Sequence, residues 1–275
     1  MPTAAVTDSR ELLLGLRYYS AETSHFVFRP EQLPKRALEM GVTTVLLTLI
    51  LFYTCAEGEE EDGGVVWDDM PSLSRAGGML PASIPFALGI PGTALLLALA
   101  FWLVYATHAK KLAWSSARRV PEEHIQATCW SRRCLHVGWC FCVFLAAAAA
   151  VPVTYSPAVH ASLVGAMFGS GLLYASLLLG CVLRPAHKLF LATAEDERNY
   201  GRKWWCAVGV GVALVLDACV LVVAAWVPGV DCPWPRPCWV RVAQGGLEAL
   251  AAVGLMGFVH SLGYDLRDVQ LELSI

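Results

Sequence analysis

The chain has 275 residues, of which 56% are hydrophobic and only 16% charged, and its mean hydropathy is +0.53. A soluble domain carries about 25% charged residues, so this chain has too little charge to clothe itself in a water-facing surface. Basic and acidic residues nearly cancel to a formal net charge of −3, which excludes the basic stripe of a nucleic-acid binder, and the high hydrophobicity excludes a disordered chain. What remains is an integral membrane protein.

Residues 1–37 are mixed and polar and read as a cytosolic N-terminal arm, without the apolar core and small-residue cleavage site of a signal peptide. Apolar runs follow at 38–55, 83–106, 135–152, 158–183, 204–227 and 239–262. Each is close to the roughly 20 residues that span a bilayer core, the first and third being shortest and the third carrying the alanines of 146–150. The expected fold is therefore all-α, a polytopic bundle of six transmembrane helices over 38–275 with a short cytosolic tail. Pro85 and Pro91 in the second run are positioned to kink it.

Basic residues set the orientation. The arm holds Arg10, Arg17, Arg29, Lys35 and Arg36, and the second connection holds Lys110, Lys111, Arg118, Arg119, Arg132 and Arg133. The fourth connection holds Arg184, Lys188, Arg198, Arg202 and Lys203, and the tail holds Arg267. Only Arg75, Arg236 and Arg241 fall on the other side, where 57–69 is strongly acidic. Both termini are predicted cytosolic. Trp234 and Trp239 on the luminal side, with Trp114, Trp130, Trp204 and Trp205 on the cytosolic side, suit interfacial belts.

Most of the ten cysteines lie inside the apolar runs, where a thiol behaves as a small hydrophobe. Cys232 and Cys238 differ, because they flank a proline-rich luminal loop. In an oxidising lumen they form a disulfide candidate, the alternative being two unpaired loop thiols. The histidines are scattered and no Cys-x-x-Cys pair occupies a loop, so neither a metal nor a cofactor is expected. Walker and dinucleotide motifs are absent. Gly169-Ser170-Gly171 together with His260 gives only a weak case for an intramembrane serine nucleophile, since small residues in membrane helices are usually packing contacts.

Ionisable residues within the bilayer are costly and mark sites or helix cross-links. Asp217 in the fifth run and Glu248 in the sixth both fall roughly 14 Å below the luminal boundary at about 1.5 Å per residue. With His160 opening the fourth run and Arg241 about two turns above Glu248, they make a polar-site candidate. Hydrogen-bonded cross-links within the bundle are the alternative reading.

Several segments resemble one family. Met70-Pro71-Ser72-Leu73-Ser74 running through Gly77-Gly78 and Pro81 is similar to its proline-serine segment before the second helix. Val159-His160 through Phe168, Gly171 and Tyr174, and Glu248 through Gly254, Phe258 and Tyr264-Asp265-Leu266 to Leu271, resemble its fourth and last helices. The family is the six-span Frag/DRAM/Sfk group. Within it, Glu195-Asp196-Glu197-Arg198-Asn199-Tyr200 with Lys203, and the arm segment Phe26-Val27-Phe28-Arg29, look most like the branch of the post-GPI-attachment factor. The acidic run at 57–62 and the 231–238 loop depart from the pattern.

This resemblance implies a secretory-pathway membrane protein, in the Golgi or endoplasmic reticulum, acting in GPI-anchor lipid remodelling. Membrane lipids, a GPI-anchor lipid and other remodelling membrane proteins are its implied partners, and Asp265 joins the candidate polar residues as part of the C-terminal pattern. A lysosomal autophagy modulator and a plasma-membrane scaffold for phosphoinositide signalling are the alternatives that the same family offers. A channel would need a more polar conduit than these helices provide.

Overall fold

Inside hydrocarbon a backbone must satisfy its own N–H and C=O groups, and the apolar runs do so as helices. In a computed structural model of the chain, the residues described are 26–56, 76–116, 122–152, 155–226, 238–267 and 271–273. Six helices are long and apolar enough to cross a membrane. They are α1 (Gln32–Ala56), α2 (Ser83–Ser116), α3 (Glu122–Ala150), α4 (Pro157–Leu177), α5 (Ala194–Trp226) and α6 (Cys238–Asp265). A π-helical segment, Leu178–Leu183, continues α4, and a single helical turn, His187–Phe190, precedes α5.

Four helices outrun the apolar segments read from the sequence: α1 begins at Gln32 instead of 38, α2 continues to Ser116, and α3 and α5 start at Glu122 and Ala194. The physical reason is that hydropathy reports the hydrocarbon-embedded part, whereas backbone hydrogen bonding continues into the polar interface. Arg198, Arg202 and Lys203 accordingly sit on α5, not in a connecting loop.

Neighbours in sequence pack together, and α1 also touches α6, which closes the bundle. Phe101 of α2, Phe141 of α3, Tyr174 of α4 and Phe258 of α6 meet in the core, with Phe101–Tyr174 ring centroids 4.5 Å apart and Tyr174–Phe258 centroids 6.0 Å apart. Small residues admit these contacts. A Cβ added to Gly254 of α6 would lie 2.7 Å from Val210 Cγ2 and 3.3 Å from the Cys206 carbonyl oxygen, so α5 and α6 touch backbone to side chain there. Gly89, beside Pro91 in α2, faces Thr44 of α1 just as closely. The segment leading into α2, with its cis Leu80–Pro81 bond, seats Ala76 and Ala82 against Phe52 at the end of α1.

Phe26–Phe28 (β1) and Leu271–Leu273 (β2) pair antiparallel, with Phe26 opposite Leu273. The arm before α1 and the tail after α6 therefore meet at the same end of the bundle.

Candidate functional site

Polar groups gather at two levels of the α5–α6 pair. The first lies at the end where α5 begins. Thr193 and Asp196 form a reciprocal cap: Asp196 Oδ2 accepts bonds from the Thr193 N–H (3.0 Å) and hydroxyl (2.8 Å), and the Asp196 N–H donates to Thr193 Oγ1 (3.1 Å). The acidic first turn, Glu195-Asp196-Glu197, suits the positive end of the helix dipole. Arg267, just beyond α6, bridges to Glu195 (3.0 Å) and Asp196 (3.4 Å) and lies over the Tyr264 ring at 3.8 Å.

One turn deeper, Asn199 and Lys203 stand four residues apart on α5, which puts both on one face. They oppose Ser261 and Asp265, spaced likewise on α6. Lys203 is 1% exposed, and its ammonium donates to both Asp265 carboxylate oxygens at 2.6 and 2.5 Å. Asn199 Nδ2 donates to Asp265 Oδ1 (3.2 Å) and to the Ser261 carbonyl (3.3 Å). Gly263 keeps this corner open to the chain entering α1, because a Cβ there would sit 2.8 Å from the Glu31 carbonyl oxygen. Beside the ion pair is a cavity of about 40 Å³, walled in addition by His108 and Lys111 of α2, Tyr200 of α5 and Phe190. His108 is 2% exposed, its ring edge-on to Phe190 (centroids 4.8 Å) and its Nδ1 buried without a hydrogen-bond partner among the described residues.

The second level lies roughly 21 Å farther along α5 from Lys203 and roughly 25 Å back along α6 from Asp265. Here Asp217 and Glu248 are both half-buried, and their charges lie within interaction range of each other. Around them α5 and α6 present Val215, Leu216, Leu250 and Val253 outward, and α5 is the least covered of the six spans. The carboxyl pair thus sits among outward-facing apolar side chains of α5 and α6.

The other sequence candidates are placed as follows. His160 is buried at the start of α4, but its Nδ1 is 2.7 Å from the Val151 carbonyl oxygen, so it ties α4 to the end of α3. Its Nε2 is buried without a hydrogen-bond partner among the described residues. Arg241 lies in the first turn of α6 with its side chain outside the described residues, and Cys232 and the Cys238 side chain lie outside them too. The Ser170 hydroxyl donates to Ala166 (2.7 Å) and Met167 (2.9 Å) of its own helix, and His260 is exposed. That bonding pattern is the ordinary one for a serine in a membrane helix.

His108, Lys111 and Lys203 were not singled out as site residues by the sequence. The available signal was spacing: Asn199 with Lys203, and Ser261 with Asp265, each one turn apart at the matching ends of two adjacent helices.

The family model for the Frag1/DRAM/Sfk1/Cwh43P N-terminal domain matches residues 40–269. No curated protein and no solved structure matches the chain.

Proposed function

The chain belongs to the Frag1/DRAM/Sfk1/Cwh43P N-terminal domain family, and on that premise we propose that it acts in GPI-anchor lipid remodelling in the membranes of the Golgi or endoplasmic reticulum. The observation that carries the reading is the Asp217–Glu248 pair, half-buried on the thinly covered α5–α6 face. A carboxyl group at hydrocarbon depth costs about 2.5–3.5 kcal/mol on insertion scales. Two on adjacent helices are retained where a proton, a cation or a polar lipid group is shared between them. A site of this kind is entered sideways from the bilayer, which is how a lipid with a large glycan headgroup reaches a bundle without a soluble domain. The segments that resemble the post-GPI-attachment factor add support, since Asn199, Lys203 and Asp265 converge and the arm at Phe26–Phe28 pairs with the tail.

In this reading Asp217 and Glu248 hold polar groups of the lipid, and Arg241, on the first turn of α6, belongs to the same luminal end. Deletion of the gene is expected to reduce surface display of GPI-anchored reporters, and the wild-type chain to restore it. Glu248→Gln, expressed at normal abundance, is expected not to restore it. Unchanged reporter display in the deleted cells would contradict the reading.

A further inference from the structure

The cavity beside Lys203 and Asp265 has an imbalance of hydrogen-bonding capacity. Its two carboxylates are already engaged: Asp265 by Lys203 and Asn199, Asp196 by Thr193 and Arg267. Other polar groups in its wall are not. Lys111 has no ion-pair partner among the described residues, the Tyr200 hydroxyl makes no hydrogen bond to them, and the buried His108 Nδ1 has none. A buried polar atom without a partner costs about 1–3 kcal/mol, so His108 at 2% exposure points to an occupant. One ammonium, with a phenol and an imidazole that can each turn a donor toward it and every carboxylate oxygen already bonded, suits an anion. A volume of about 40 Å³ holds roughly three waters, which is the scale of a terminal phosphate and not of a sugar headgroup.

A second hollow adjoins it. Tyr200 is a wall of both, and beyond Tyr200 an apolar groove of about 280 Å³ runs between α4 and α5, lined by Leu172, Leu179, Gly180, Trp204 and Ala207, with Arg184 at its rim. The groove follows the π-helical segment, where Arg184 N–H bonds back five residues to the Leu179 carbonyl (3.1 Å) and the wider turn displaces the helix surface. A Cβ at Gly180 would meet no atom within 4 Å, so the groove is open there.

We propose that this pair of hollows binds a phospholipid with a phosphate monoester headgroup, of the phosphatidic acid type, its phosphate against Lys111, His108 and Tyr200 and an acyl chain in the α4–α5 groove. The short path from acyl chain to phosphate in such a lipid fits two hollows that share one residue. Larger headgroups place a second substituent on the phosphate, which the small cavity disfavours. With both termini cytosolic, as the basic residues indicate, the site faces the leaflet that carries anionic lipid. The assignment uses neither Asp217 nor Glu248, so it stands or falls separately from the GPI reading.

The test places the full chain in nanodiscs of phosphatidylcholine, of phosphatidylcholine with added phosphatidic acid or phosphatidylserine, and of phosphatidylcholine with inorganic phosphate in the buffer. The melting temperature and the lipid retained in native mass spectrometry are read out. Phosphatidic acid is expected to raise the melting temperature and to stay bound. Lys111→Ala, at a half-exposed position that tolerates truncation, is expected to weaken retention about tenfold, the size of one charge-assisted bond. Gly180→Leu, which fills the groove without a clash, is expected to do the same. Equal retention of phosphatidylserine would overturn the monoester assignment. Equal protection by inorganic phosphate, unaffected by Gly180→Leu, would overturn the lipid and leave a free-phosphate site. Retention unchanged in both variants would overturn the location.

Discussion

Lys203 shows how much a single residue of α5 organises. At 1% exposure its ammonium has left water, and only the Asp265 carboxylate, itself held by Asn199, compensates. Removing one partner of such a pair leaves the other charge buried, at a cost of about 3–5 kcal/mol, whereas replacing both by apolar groups of similar volume is often close to neutral. Asp265→Ala is therefore expected to destabilise the chain strongly, and the double variant Lys203→Met with Asp265→Leu to recover most of the loss. Thermal unfolding in detergent measures both, and a double variant no better than the single one would contradict the buried-pair account. Asp265 was legible from the sequence through its place in the family's C-terminal pattern. Lys203 was legible only as part of the segment resembling the family branch; its burial was not, because hydropathy assigns a lysine beside two tryptophans to the interface and only helix pairing shows which way it turns. His108 escaped for a related reason: one imidazole near the end of an apolar run carries no sign of the cavity that α5 and α6 build against it.

At the scale of elements, the six spans were readable because roughly 20 apolar residues in sequence have no other way to meet a bilayer. Their ends were not, since the Thr193–Asp196 cap, rather than any change in hydropathy, sets where α5 begins. Thr193→Ala is expected to cost about 1 kcal/mol, the usual worth of an N-cap, seen as faster hydrogen exchange confined to the first turns of α5. The contact between α5 and α6 is held at Gly254, where an added methyl meets Val210 at 2.7 Å. Gly254→Leu is expected to cost about 1–3 kcal/mol by overpacking and to push the two helices apart. A melting temperature equal to that of the wild type would show that the helices are not in contact at that residue. The π-helical segment that continues α4, packed against α3 and α5, had no sequence signature.

For the whole molecule, the six spans among the described residues and the β1–β2 ribbon bring the segment before α1 and the segment after α6 to one end of the bundle. The concentration of basic residues predicts that this side is the cytosolic one. Glycosylation sequons engineered into 57–75 are expected to acquire a glycan and those in 117–121 to remain unmodified; the reverse pattern would invert the assignment. In that orientation α5 and α6 carry a polar centre at each end. The buried Lys203–Asp265 cluster is then expected toward the cytosolic leaflet, and the Asp217–Glu248 pair about 14 Å below the luminal boundary. The central claim is that this second pair serves GPI-lipid remodelling. Its most direct test is mass spectrometry of the lipid on a GPI-anchored reporter, purified from deleted cells that express wild-type protein, Asp217→Asn or Glu248→Gln at equal abundance. The account predicts the remodelled lipid with wild type and the unremodelled lipid with either amide variant, and full remodelling by both variants would contradict it.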